Sequence, residues 1–245
     1  MSTEHTAAPA IADMSEQMQI RLEKRAKLIE SGREAYPVGL LDSEGNRVEP
    51  NHIEDLRAEY DPKLESGELK AGDETDRVVH VGGRVVFVRN TGKLCFATLQ
   101  GGTEGKRIQA MLSLAEVGEE SLAEWKSLVD LGDHVFVTGR VIVSRRGELS
   151  IMVTDWKMAS KALRPMPVLH KDLNEETRVR QRYLDLMVRD EARELVKKRA
   201  LITRTVRRVL EDHGYIEVET PILQLVHGGA TARPFRTHLN AFDQP

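Results

Sequence analysis

VVHVGGRVVFVRN (residues 78–90), LCFATLQ (94–100), RIQAMLSL (107–114), HVFVTGRVIVS (134–144) and LSIMVTDW (149–156) are five β-branched or alternating runs separated by turn residues. Thr91-Gly92-Lys93, Gly101-Gly102 and Arg145-Arg146-Gly147 supply the turns. Between the third and fourth runs, residues 116–131 change to helical spacing, with Val117, Leu122, Trp125, Leu128 and Val129 on one face and Gly132 as the stop. Three strands, a helix and two strands is the order of an OB-fold, a small five-stranded β-barrel that binds oligonucleotides across its strand 2–3 face. Working outward, residues 78–160 form this domain and everything else flanks it.

Alternation along a strand sorts its side chains into two faces. In the second strand Cys95, Ala97 and Leu99 form the apolar set, which leaves Phe96 with Leu94, Thr98 and Gln100 on the outer face. An exposed aromatic beside an amide suits a stacked base. The alternative is that Phe96 covers the barrel beneath an N-terminal helix. In the last strand Leu149, Ile151 and Val153 face in, while Glu148, Ser150 and Thr154 face out. Glu148 would accept a hydrogen bond from a base N–H, and Arg89, at the end of the first strand, would donate to a base or phosphate. Either charge alone reads first as a surface residue; together with Phe96 and Gln100 they form a reading site.

The 245 residues carry a formal charge of −3, so affinity for nucleic acid must come from a local basic surface rather than the overall balance. Cys95 is the sole cysteine. It excludes an internal disulfide or a cysteine-built zinc site and suits a reducing, cytoplasmic setting. No signal peptide or apolar span of membrane length is present.

Residues 1–13 have the composition of a disordered tail. Residues 14–77 hold helices and a connector. The spacing of Met18, Leu22, Ala26 and Ile29 predicts a helix capped by Gly32, and Arg21, Lys24, Arg25 and Lys27 make it basic, as a solvated face or as a surface grazing phosphates. Asn51 and Glu54 read as a capping box for a second helix that packs Ile53, Leu56 and Tyr60 on the barrel. Residues 61–76 read as a surface excursion. Residues 161–174, with Pro165 and Pro167, form a hinge. Residues 175–188 and 191–213 are helical, Gly214 ends the second helix, and residues 215–220 alternate as a strand ended by Pro221. Gly228-Gly229 would let backbone approach a small ligand.

The strings GKLCFATLQ, RRGELSI, KALRPMPV, RVRQRYLDL, HGYIEVETP and GGATARPF resemble the bacterial lysyl-tRNA synthetases, class II enzymes with an N-terminal anticodon-binding OB-fold. The aspartyl and asparaginyl enzymes share this architecture, but RQRYLDL and GGATARPF favour the lysyl branch. The resemblance implies an α+β chain: a five-stranded OB-fold barrel with flanking helices, then the beginning of a class II catalytic domain (helices plus an antiparallel strand) over residues 175–245. It implies anticodon recognition of tRNA-Lys by Phe96, Arg89, Gln100 and Glu148, and a lysine pocket that includes Gly229. HGYIEVETP resembles motif 1, the homodimer element, carrying Gly214, Glu217, Glu219 and Pro221. The family also implies ATP and Mg2+. The sequence ends at Pro245, before any segment resembling motif 2 or 3, and offers no nucleophile, phosphate-binding loop or acidic metal pair. The expectation is therefore a lysine–tRNA ligase chain that lacks catalytic and metal residues and is inactive alone, or alternatively a non-catalytic tRNA-binding protein.

Overall fold

The computed structural model describes residues 15–41, 45–102, 104–167, 173–223, 233, 235–238 and 240–241. The expected tail, residues 1–13, lies outside them. Two compact units divide the chain, Met1–Glu194 and Leu195–Pro245.

The first unit is built on strands β1 (Glu74–Thr91), β2 (Leu94–Gln100), β3 (Arg107–Ser113), β4 (His134–Val143) and β5 (Leu149–Ser160). They close into a barrel in the order β1-β2-β3-β5-β4. The β3–β5 pair is parallel and the other pairs are antiparallel. The expected alternation holds: Cys95, Ala97, Leu99, Ile108, Ala110, Leu112, Ile151 and Val153 are fully buried in the interior.

Of the four register shifts between the strands, two matter most for the barrel's faces and closure. Val85 pairs with Leu99 but Phe87 pairs with Thr98, so β1 carries an extra residue at Val86. A one-residue bulge reverses the side-chain faces beyond it. Phe87 and Arg89 therefore join the face of Phe96 instead of continuing the inward series of Val81 and Val85. A second register shift lies between Thr138 and Gly139 of β4. There a Cβ on Gly139 would come within 2.0 Å of the Met152 carbonyl oxygen, so only glycine fits between the two backbones.

The flanking elements depart from expectation in several places. The crossover helix is broken at Gly118, whose φ of +81° separates α3 (Leu114–Val117) from α4 (Glu119–Leu128). Helix α4 still buries Leu122, Trp125 and Leu128, and Trp125 meets Trp156 edge-on at 5.1 Å. Helix α1 (Glu16–Glu30) buries Arg21 and Leu28, whereas Ile29 is exposed. Helix α2 (Ile53–Glu65) starts without the expected capping box, because the Asn51 carboxamide accepts from the His80 backbone N–H instead. It buries Ile53, Leu56 and Tyr60 as anticipated, and it takes up part of the expected surface excursion. The segment 175–188 is two helices, α5 (Glu175–Arg180) and α6 (Arg182–Val188), with Gln181 between them outside helical geometry.

A buried polar knot joins α1, the start of β4 and the segment after β5. Lys161 donates to the Leu128 carbonyl at 2.8 Å, to Asp130 at 2.6 Å and to Asp133 at 2.7 Å. Asp133 also accepts the Ala162 N–H at 2.8 Å. Arg21 donates to the carbonyls of Leu131 and Ala162, and Lys24 pairs with Asp130 at 2.6 Å. With Arg25 over the Tyr36 ring, three of the four basic residues of α1 are thus engaged within the protein.

Helix α7 (Asp190–Asp212) runs into the second unit. Residues 215–220 are exposed and form no strand, since a strand needs a neighbour to receive its backbone hydrogen bonds and no described residue pairs with them. The antiparallel strand expected here is therefore absent from the described residues.

Candidate nucleic-acid interface

The Val86 bulge and the register of β2, β3 and β5 set two rows of side chains on the outer face. Arg89, Phe96, Met111 and Met152 are cross-strand partners in the first row, and Phe87, Thr98, Gln109 and Ser150 in the second. Apart from the buried Ser150, these rows floor a cleft of about 990 Å³, walled by the β4–β5 turn with Arg145, Arg146 and Glu148.

Within this cleft the Arg89 guanidinium lies over the Phe96 ring, 4.7 Å from its centroid. A base reaching that ring face must displace a cation–π contact worth about 0.5–1 kcal/mol at an exposed site. Phe87, 54% exposed, adds a second aromatic surface beside it. The buried Ser150 hydroxyl lies 3.1 Å from the Gln109 amide and 2.9 Å from the Glu148 carbonyl, and its single proton serves one of the two. Glu148 is half exposed and pairs with Arg57 of α2 at 2.9 Å. Arg89, Arg107, Arg145 and Arg146 outnumber Glu74 and Glu148 in the lining, giving a locally cationic cleft in a chain of net charge −3.

Of the four residues expected to read an anticodon, the structure brings together Arg89, Phe96 and Glu148 but not Gln100. Gln100 does share the Phe96 face, yet four residues of strand carry it about 13 Å away. It lines a separate recess of about 580 Å³ with Arg84, His134 and Tyr183, and its Oε1 is buried without a partner among the described residues. The amide in the cleft is Gln109 instead. Its signal was legible in the outward set Arg107, Gln109 and Met111 of β3, but only cross-strand register shows that this set adjoins Phe96.

His134, in that second recess, has a buried Nε2 without a partner among the described residues. Burial, reinforced by the Arg84 charge, lowers its pKa to about 4 from the ordinary 6.5. The folded protein thus resists protonating His134, and the unfolded chain binds more protons between those values. Stability from this group is complete above pH 6.5 and is lost as pH falls toward 4. Urea midpoints measured across this window should flatten in His134→Gln; an unchanged slope would remove His134 as the cause.

In the second unit, Gly214 ends α7 with φ +85°, and Glu217 pairs with Arg207 at 3.0 Å. Glu219 and Pro221 are exposed. Gly229 lies outside the described residues. No group of three or more His, Cys, Asp and Glu able to hold a metal ion occurs among the described residues. No described helix is long and apolar enough to cross a membrane.

With this geometry in hand, comparison with known proteins identifies the class. Residues 79–159 match the family described as OB-fold nucleic acid binding domain, and residues 174–244 match class II tRNA synthetases (D, K and N). The chain is thus an OB-fold joined to a class II tRNA synthetase segment. Its sequence is 56% identical over 231 residues to the lysine–tRNA ligase of Kineococcus radiotolerans, covering 94% of this chain and 43% of that protein. The Mycobacterium tuberculosis lysine–tRNA ligase is 48% identical over 238 residues, covering 97% of this chain and 44% of the relative. The lysylphosphatidylglycerol biosynthesis bifunctional protein LysX of Mycobacterium avium is 40% identical over 238 residues, 18% of its own length. The chain is similar to lysine–tRNA ligases over nearly its whole length, and it spans less than half the length of these ligases.

Proposed function

We propose that this chain supplies the anticodon-recognising part of a lysine–tRNA ligase, the enzyme that activates lysine with ATP and transfers it to tRNA-Lys. The observation that carries this reading is the cationic cleft in which Arg89, Phe96, Gln109 and Glu148 converge. Phe96 stacks on a base, a sequence-tolerant contact, while Glu148 and Gln109 supply hydrogen-bonding partners to its edge. The Glu148 carboxylate accepts from a base N–H, and the Gln109 amide offers a donor or an acceptor beside it. The surrounding arginines hold the backbone phosphates.

The higher identity to the ligases than to the bifunctional LysX protein favours the ligase over the lipid-modifying relative. Lysine activation, the Gly229 pocket and a cytoplasmic location belong to this same reading. A homodimer through the motif 1 segment is supported by the exposed apolar residues Leu195, Ile202, Val206 and Val209 of α7.

Titration with an RNA hairpin bearing a lysine anticodon tests the reading. The wild-type chain should prefer it over hairpins with one anticodon base replaced. Glu148→Gln should relax that preference by about 1–3 kcal/mol while weakening cognate binding less. Equal affinity of the wild-type chain for all hairpins would reject anticodon recognition.

A further inference from the structure

We propose that Arg57, on α2, is a positioning residue of the cleft: it fixes the Glu148 carboxylate so that one oxygen stays available to a base. The inference rests on the base-reading role of Glu148 given above and extends the site beyond the barrel. Helix α2 lies outside both matched segments, 79–159 and 174–244.

Three contacts hold Arg57 in place. Its Nε donates to the Arg107 carbonyl at 2.8 Å, Nη1 to Asp61 at 3.2 Å and Nη2 to Glu148 Oε1 at 2.9 Å. One planar fork thus ties α2 to the first residue of β3 and to the last residue of the β4–β5 turn. The Arg57 side chain is 20% exposed, whereas that of Glu148 is 50% exposed. The partner that holds is therefore the more enclosed of the two. Glu148 Oε2 has no partner among the described residues, and Glu148 lines the cleft. Charge-assisted bonds of this kind orient a carboxylate as well as attract it. Without Arg57, Glu148 would be a long flexible side chain at a turn, free to approach Arg145 or Arg146 of the same turn.

Arginine suits this task where lysine does not, because its donors diverge in a fixed plane toward three acceptors. The arrangement also separates two jobs among the arginines around the cleft. Those lining it are available to phosphates, while Arg57 spends its donors on protein acceptors.

The 245-residue chain and its variants are titrated with the lysine-anticodon hairpin and with the single-base variants over a series of salt concentrations. In Arg57→Met the preference for the lysine anticodon should fall about tenfold. The double variant Arg57→Met/Glu148→Gln should discriminate no worse than Glu148→Gln alone, since both changes remove one coupled function. The slope of log affinity against log salt should stay as in the wild type, because Arg57 makes no phosphate contact. Full discrimination in Arg57→Met, with discrimination lost in Glu148→Gln, would overturn the Arg57 role and leave Glu148 standing. A salt slope shallower by about one would overturn it in favour of a direct phosphate contact. Full discrimination in Glu148→Gln would instead reject the underlying role of Glu148, and with it this inference. Should Arg57→Met fail to fold, Arg57→Lys keeps the stem and charge with one nitrogen for three acceptors, and undiminished discrimination there would likewise overturn the proposal.

Discussion

Replacing Asp133 with alanine should lower the free energy of unfolding by about 3–5 kcal/mol, the range for breaking a buried ion pair from one side. Asp133 and Lys161 are both fully buried at the side chain, 2.7 Å apart. Removing the carboxylate leaves an ammonium inside the protein with one fewer acceptor. It also orphans two backbone N–H groups, Ala162 and Asp130, that Asp133 now accepts. The loss is larger than a surface ion pair would give, because water cannot replace the missing acceptor without opening the knot. Urea denaturation at neutral pH measures it, and a loss below about 1 kcal/mol would mean that the site is solvated after all. The knot also has a pH signature. Burial acts to raise the pKa of Asp130, but hydrogen bonds from Lys161 and Lys24 overcome it and hold the group below the ordinary carboxylate value. Its contribution is therefore present above the unfolded-state pKa and is lost as pH falls through the lower folded value.

Phe96→Ala should weaken binding of the lysine-anticodon hairpin by about 1–3 kcal/mol, or roughly 5- to 150-fold, while leaving unfolding nearly unchanged. The two effects separate because Phe96 stands on the outer face of β2, opposite the buried Cys95, Ala97 and Leu99. Truncation removes a stacking surface without opening a cavity in the core. It also frees Arg89 from the ring, so part of the loss is offset by a guanidinium no longer held in a cation–π contact. Fluorescence titration with the hairpin, paired with a urea curve on the same variant, checks both halves. An affinity within twofold of wild type would remove Phe96 from the interface. A large drop in stability would instead assign it to covering the barrel, the alternative that strand alternation left open.

Strand alternation and turn residues made the barrel legible without any coordinates. Each strand needs one apolar face for a shared interior, and β2, β3 and β5 write that face directly as Cys95-Ala97-Leu99, Ile108-Ala110-Leu112 and Ile151-Val153. The same local rule placed Phe96 and Glu148 outside. Gly118 and Gln181 were harder to anticipate, because the apolar stripes around them run on at helical spacing while the backbone changes direction. Residues 215–220 alternate as a strand should, but backbone hydrogen bonds to another strand are what make one. Alternation alone supplies no partner.

The composition of the cleft was settled by relations between distant residues. A single extra residue at Val86 turns Phe87 and Arg89 outward, and it leaves no mark in a run of β-branched side chains. Register between strands exchanges Gln100 for Gln109, since a face extends along the whole strand and only its neighbours fix where on that face a residue lies. Arg57 meets Glu148 across 91 positions of sequence, and Lys161 meets Asp133 across 28. The sequence by itself determined the barrel, its core and the outward aromatic, because those follow from periodicity within a strand. Tertiary structure alone decided which polar groups face one another, because a hydrogen bond depends on ångström-scale placement that only closure of the barrel imposes.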